Sequence, residues 1–108
     1  NYSLRTSNST NASDHIKAEI EIGGENHEIS GSGNGPIDAF VNALNQKLSI
    51  DIKVSDYHQS AISSGSDAQA AAYIEIQKGD KTSWGVGINQ NTTKASFEAI
   101  IVGVAKLI

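Results

Sequence analysis

Two stretches of the chain carry groups suited to holding a small molecule. The first is Gly31-Ser32-Gly33-Asn34-Gly35-Pro36. Its glycines let backbone approach a ligand closely, and the unpaired N–H groups at the start of the helix that follows favour an anion such as a carboxylate. It lacks the Gly-Lys-Ser/Thr continuation of a phosphate-cradling loop and the Gly-x-Gly-x-x-Gly spacing of a dinucleotide site. A tight strand-to-helix turn is the competing reading. The second stretch is SSGSDAQAAAY, Ser63 to Tyr73. Gly65 with Ser64, Ser66 and Asp67 can form a polar turn, while Ala61, Ala68, Ala70, Ala71 and Ala72 leave room that bulky residues would fill. An amino-acid ligand needs that combination: donors for its carboxylate, an acid or carbonyls for its ammonium, and a small-walled apolar cavity for its side chain. Here the competing reading is a hairpin with close sheet-to-helix packing.

Nothing else in the sequence assembles a reactive centre. His15, His27 and His58 have no metal-ligand spacing with a carboxylate and read as surface or strand-end residues. Asp56, Tyr57 and His58 are consecutive, but strand neighbours point to opposite faces, so only Asp56 and His58 can share one. No nucleophile, base and orienter can be picked out, so the chain reads as non-enzymatic and without a cofactor or metal of its own. The absence of cysteine excludes disulfides, thiolate metal sites and cysteine nucleophiles, and fits a reducing compartment. Twelve acids against eight bases give a net charge of −4 with no Lys/Arg cluster, which argues against a nucleic-acid reader. No apolar run approaches the ~18 residues of a membrane span and the first residues lack a signal-peptide plan, so we expect a soluble, cytoplasmic protein with no membrane partner. The glycosylation tripeptides at Asn8, Asn11 and Asn91 then read as accidental. A chain of 108 residues is one domain's worth, and the missing initial methionine suggests a fragment of a longer protein.

The elements that must position these groups come from an internal repeat. Sliding the sequence by 54 residues sets Lys17–Gly33 against Ala71–Gly87 with six of seventeen positions identical, including Gly31/Gly85 and Gly33/Gly87. Halves 1–54 and 55–108 are expected. Ile16, Ala18, Ile20 and Ile22 alternate with polar residues, as in a half-buried strand. Gly23-Gly24 marks a hairpin turn, with Lys78-Gly79-Asp80 in the matching place, and returning strands cover about 26–32 and 81–88. From Pro36, a residue suited to the first helical position, Ile37, Phe40, Val41, Leu44 and Leu48 form one helical stripe capped at Gly35. Phe97, Ile100, Ile101, Val104 and Ile108 form another after Asn91-Thr92-Thr93, whose side chains suit capping. Ile50, Ile52 and Val54 alternate in an extended stretch, and Tyr2 and Leu4 anchor a weaker one. Trp84 is expected between sheets and helices. The prediction is an α+β domain of two βββα units related by a pseudo-twofold, with helices packed on largely antiparallel sheet.

Taken together, GSGNGPIDAFVNAL, DYHQSAISSGSDAQAAAYIEI and WGVGINQNTTKASFEAI resemble the C-terminal regulatory domain of 2-isopropylmalate synthase, in the family's order and over most of the chain from about Ile29 onward. The resemblance implies two βββα units, homodimerisation through this domain, and binding of L-leucine as feedback inhibitor of leucine biosynthesis. It also implies a catalytic TIM barrel elsewhere in the parent chain, a metal-dependent acyl-CoA-condensing transferase; a barrel typically takes ~250 residues and cannot fit here. By motif, the implied effector residues are Asn34, Gly35, Pro36, Ile37 and Asp38, then Tyr57, Ala61, Ser64, Gly65, Asp67 and Ala68, with Val54 and Thr92 added. The alternatives are the isoleucine-binding domain of citramalate synthase and a purely structural dimerisation module.

Overall fold

A computed structural model describes residues 4–9, 14–62 and 68–108. Tyr2, Asn11, Ser64, Gly65, Ser66 and Asp67, singled out above, lie outside the described residues. The elements run β1 (Leu4–Ser9), β2 (Asp14–Ile22), β3 (Glu25–Gly33), α1 (Pro36–Leu48), β4 (Ile52–Ala61), β5 (Ala70–Lys78), β6 (Lys81–Asn89) and α2 (Thr92–Ala105). They form two three-stranded antiparallel sheets of order β1-β2-β3 and β4-β5-β6, within compact units Asn1–Asp51 and Ile52–Ile108. The α+β class and the repeated βββα plan are as expected.

Within each unit the helix lies on the last two strands. In β2, Ile16, Ala18 and Ile20 are buried while Lys17 and Glu19 are exposed, so the period-two alternation becomes one core face and one wet face. Gly23 and Gly24 both have positive φ, which lets a two-residue turn of the twist-compatible type join β2 to β3. Phe40, Val41 and Leu44 bury the helical stripe of α1, flanked by half-buried Ile37 and Leu48. In α2, Ala95 to Phe97, Ala99 to Ile101, Gly103 and Val104 are all buried, which matches the broad apolar surface read from its sequence.

The helices approach the strands backbone to backbone. A Cβ added at Gly31 would meet the Ala39 carbonyl at 2.9 Å and the Ala43 nitrogen at 2.7 Å. At Gly87 it would collide with the Ala95 carbonyl and meet the Ala99 nitrogen at 2.7 Å. These contacts are equivalent, and Gly31/Gly87, Ala39/Ala95 and Ala43/Ala99 each lie 56 residues apart. The same offset relates the turns at Gly23-Gly24 and Gly79-Asp80 and the helix starts at Pro36 and Thr92.

The repeat therefore runs at 56 residues through the hairpin and helix, where the ungapped slide gave 54. A two-residue slip keeps every strand side chain on its own face, so alternating Ile and Gly-x-Gly match nearly as well in the wrong register. The units meet between Asp51 and Ile52, and a boundary after residue 54 would cut β4.

Three smaller expectations change. Ile50 precedes β4 and bonds back to the Asn45 carbonyl at 3.2 Å, closing the end of α1 where Ser49 turns left-handed. Ile108 lies beyond α2 and is 53% exposed, because the helix stops at Ala105. Trp84 is 41% exposed on the sheet face away from α2, since Gly85 and Gly87 occupy the inward positions of β6.

Gly87→Ala is expected to destabilise the chain by about 3 kcal/mol or more, the upper range for an overpacked core. Gly24→Ala adds a Cβ with nothing within 4 Å, so it should cost only the left-handed backbone strain of about 1–2 kcal/mol. Urea unfolding of the two variants measures the difference.

Candidate functional site

The first group of candidate residues folds as one turn. Gly35 caps α1 with φ 132 and ψ 164, a conformation that suits glycine, and Pro36 takes the first helical position. Intrahelical bonding begins with the Ala39 N–H to the Gly35 carbonyl at 3.0 Å, so the Ile37 and Asp38 N–H groups face out of the helix end. The Asp38 carboxylate turns back and accepts the Asn34 N–H through Oδ2 at 3.0 Å, and Asn42 Nδ2 donates to the Ser32 carbonyl at 2.9 Å. The turn is thus braced from both sides. Asn34, Pro36 and Asp38 are exposed, Gly35 and Ile37 half-buried. A Cβ at Gly35 would meet nothing within 4 Å, so the space over the turn is open.

In the second unit, a bulge between Val54 and Asp56 resets the alternation of β4. Tyr57, Gln59 and Ala61 pair with Ile74, Ala72 and Ala70, and so share the face covered by α2, as does Val54 opposite Ile76. Asp56 and His58 face the other way, with His58 Nε2 3.3 Å from Asp56 Oδ2, which is the shared face expected of them. Ala61 and Ala68 are both exposed and flank the segment 62–67, next to the Ile62 N–H bond to the Gln69 carbonyl at 3.0 Å.

The inward residues of β4 reach the start of α2. The Tyr57 hydroxyl lies 2.9 Å from Ser96 Oγ, and Ser96 Oγ donates to the Thr92 carbonyl at 3.0 Å. The serine proton is committed to that carbonyl, so the phenol is the donor to Ser96 and its oxygen remains an acceptor. Gln59 Nε2 also reaches the Thr92 carbonyl, at 3.4 Å. Asn91 caps the helix by accepting the Lys94 N–H at 3.0 Å. Tyr57 and Thr92, far apart in sequence, are thus brought together, with Val54 and Ala61 on the same face. Ser96 and Gln59 were not anticipated. Ser96 is 1% exposed and is the polar interruption in an otherwise apolar helix surface, which is the signal that could have marked it.

At the 56-residue correspondence Gly35 matches Asn91 and Pro36 matches Thr92, so each unit contributes its candidate groups at the N-terminal end of its helix. Among the described residues, no three His, Asp or Glu side chains come together to hold a metal ion, and no helix is long and apolar enough to cross a membrane.

The model of the LeuA allosteric (dimerisation) domain matches residues 1–108. The chain belongs to this family. It is 43% identical over 100 residues to the 2-isopropylmalate synthase of Parafrankia sp. (strain EAN1pec), covering 93% of the chain and 18% of that enzyme. To the 2-isopropylmalate synthase of Mycobacterium ulcerans it is 49% identical over 89 residues, covering 82% of the chain and 16% of the relative. The Kocuria rhizophila 2-isopropylmalate synthase is 40% identical over 107 residues, 95% of the chain and 18% of the relative. The chain therefore spans less than a fifth of the length of the relatives it matches.

In this allosteric domain, the Tyr57–Ser96 bond ties β4 to the first turns of α2. A double-mutant cycle of Tyr57→Phe and Ser96→Ala, read by urea unfolding, is expected to give a coupling of about 0.5–1.5 kcal/mol, the range for a neutral hydrogen bond. Strictly additive effects would show that the two hydroxyls contribute independently.

Proposed function

We propose that this chain is the regulatory domain of a 2-isopropylmalate synthase, which binds L-leucine and inhibits a catalytic TIM barrel in the same polypeptide. The proposal includes a homodimer, a cytoplasmic location, and a divalent metal confined to the catalytic part. The observation that carries it is the full-length match to an allosteric domain family. Within each unit taken by itself, the helix start offers polar groups of the kind that bind an amino acid.

In the first unit the outward N–H groups of Ile37 and Asp38 suit a carboxylate, because helix starts concentrate unpaired donors and positive dipole. The adjacent open space over Gly35 gives that carboxylate room. In the second unit the Tyr57 oxygen is an acceptor suited to an ammonium, and Val54, Ala61 and Ala68 offer small apolar surface for an isobutyl group. Ser64, Gly65 and Asp67 complete the proposed set, with Asp67 or Asp38 offsetting the ammonium charge. One oxygen of Asp38 already holds the Asn34 N–H, so its part in ligand binding would use the other.

Inhibition at a distance requires linkage. Leucine shifts the enzyme only in so far as it binds one arrangement of the regulatory dimer better than another; equal affinity would shift nothing. To the extent that leucine changes substrate affinity, substrate occupancy changes leucine affinity by the same factor; an effect on turnover alone carries no such reciprocity.

Saturating L-leucine is expected to raise the melting temperature, with about 2.7 kcal/mol of stabilisation at a hundredfold excess over Kd. L-isoleucine should stabilise less at the same concentration. Gly35→Asp places a side chain in the open space and a negative charge beside the carboxylate, and should weaken leucine at least about tenfold in calorimetry, a loss of about 1.4 kcal/mol. Unchanged affinity would remove the first loop from the site, and a stronger response to isoleucine would reassign the effector.

A further inference from the structure

We infer that the outward face of the second sheet, centred on Tyr73, Trp84, Val86 and Ile88, is the surface on which a second copy of this chain docks. The inference rests on the homodimer element of the reading above and is independent of leucine binding. These four residues are 38–48% exposed. They lie on the side of the sheet opposite α2, whose own side holds buried Ile74, Ile76, Gly85 and Gly87.

The patch is contiguous. Trp84, Val86 and Ile88 stand at alternate positions of β6, Tyr73 lies directly across from Val86, and His58 lies across from Tyr73. The His58 and Trp84 rings stack with centroids 6.2 Å apart and planes 20° off parallel, capping one end of the row. A continuous apolar surface with aromatics is unusual on a solvent-facing sheet and marks an interaction site.

The fold does not require it. At the 56-residue correspondence Trp84, Val86 and Ile88 match Glu28, Ser30 and Ser32, and Tyr73 matches Lys17. In the first unit those positions form a wet surface with a Lys17–Glu28 ion pair at 3.6 Å and a His15–Ser32 hydrogen bond at 2.9 Å. One architecture thus carries a polar outer face in one unit and an apolar one in the other, so the second is fitted to an occupant. β6 is also an edge strand of its own sheet, and a long apolar edge strand invites association.

The occupant we assign is another copy of the chain. The family is described by dimerisation, and its model covers all 108 residues, so a self-association surface belongs within this chain. A twofold contact must be self-complementary, the same patch facing itself. This face carries both signs: Glu75 lies on the central strand across from Trp84, Asp56 lies beyond it on β4, and Lys106, whose Nζ donates to the Trp84 carbonyl at 2.8 Å, stands beside β6. Two such faces can oppose each other without meeting only like charges.

Trp84 is the one tryptophan in the sequence, so fluorescence reads this face alone. Sedimentation equilibrium of the 108-residue chain across a concentration series is expected to show twice the 11.4 kDa monomer mass. Trp84 emission should shift to the blue and become shielded from iodide over the same range. Val86→Lys should raise the dimer dissociation constant at least about 100-fold while the far-UV circular dichroism is unchanged. Ser30→Lys, at the matching place in the first unit, should leave it unaltered. Should Val86→Lys fail to fold, Tyr73→Lys takes its place, and the iodide measurement on the unaltered chain needs no variant. A monomeric chain, a dimer with Trp84 open to iodide, or a dimer indifferent to Val86→Lys and Tyr73→Lys each overturns the inference. A leucine melting shift on the same samples separates the two readings: it can fail while the shielded dimer stands, and survive while the dimer surface proves to lie elsewhere.

Discussion

The contact between glycine on a strand and alanine on a helix is the constraint on which the structure turns. Gly31 and Gly87 leave no side chain between sheet and helix, and Ala39, Ala43, Ala95 and Ala99 present the helix backbone to them. Gly85 extends the contact in the second unit, facing the Ala99 carbonyl and the Gly103 nitrogen. A helix held this close is fixed along and around its axis, because any slide brings Cβ atoms over strand backbone. The position of each helix N-terminus follows, and with it the place of every described candidate group at those ends. The exposed face of β6 follows too: once inward positions are glycine, the large side chains of Trp84, Val86 and Ile88 can only point outward.

The two units solve the same problem at the helix start with different chemistry. In the first, glycine and proline leave the end uncovered, and Asp38 braces the turn from within. In the second, Asn91 satisfies one orphan donor, while the Thr92 carbonyl gathers Ser96 and Gln59, and Tyr57 joins through Ser96. One end is a donor surface with open space above it; the other is a hydroxyl cluster with an acceptor oxygen at its tip. A duplication that diverged in this way puts different chemistry on the same element of each unit, donors at one helix start and hydroxyls at the other.

Much of this was legible in the sequence because it is written in local periodicities. The alternation from Ile16 to Ile22, the two hairpin turns, the Pro36 helix start and the Asn91 cap all rest on residues acting on near neighbours. What failed depends on long-range registration. The repeat was misplaced by two residues because strand faces repeat every two. The expectation that Trp84 lies in the core overlooks Gly85 and Gly87, whose inward positions turn Trp84 to the opposite face. The bulge in β4, which lets Val54 and Tyr57 share a face three residues apart, has no residue signature here. Ser96 as the partner of Tyr57 depends on which turn of α2 reaches β4, and no spacing rule states that.

The same close packing limits how an effector could act. A ligand contributes to a conformational equilibrium only through its difference in affinity between two states, so some part of the domain must have two states of similar energy. The interior of a unit is a poor candidate, because sliding α1 over Gly31 or α2 over Gly87 would force backbone into backbone, and packed interfaces tend to be bistable or fixed rather than gradually deformable. Surfaces where whole chains meet carry no such backbone contact and are freer to shift. An allosteric signal in this family is then best carried by βββα units that keep their internal geometry while their contacts with partners change. On this argument, variants that loosen the glycine contacts should blunt transmission before they abolish binding, since a soft unit absorbs the displacement that a stiff one passes on.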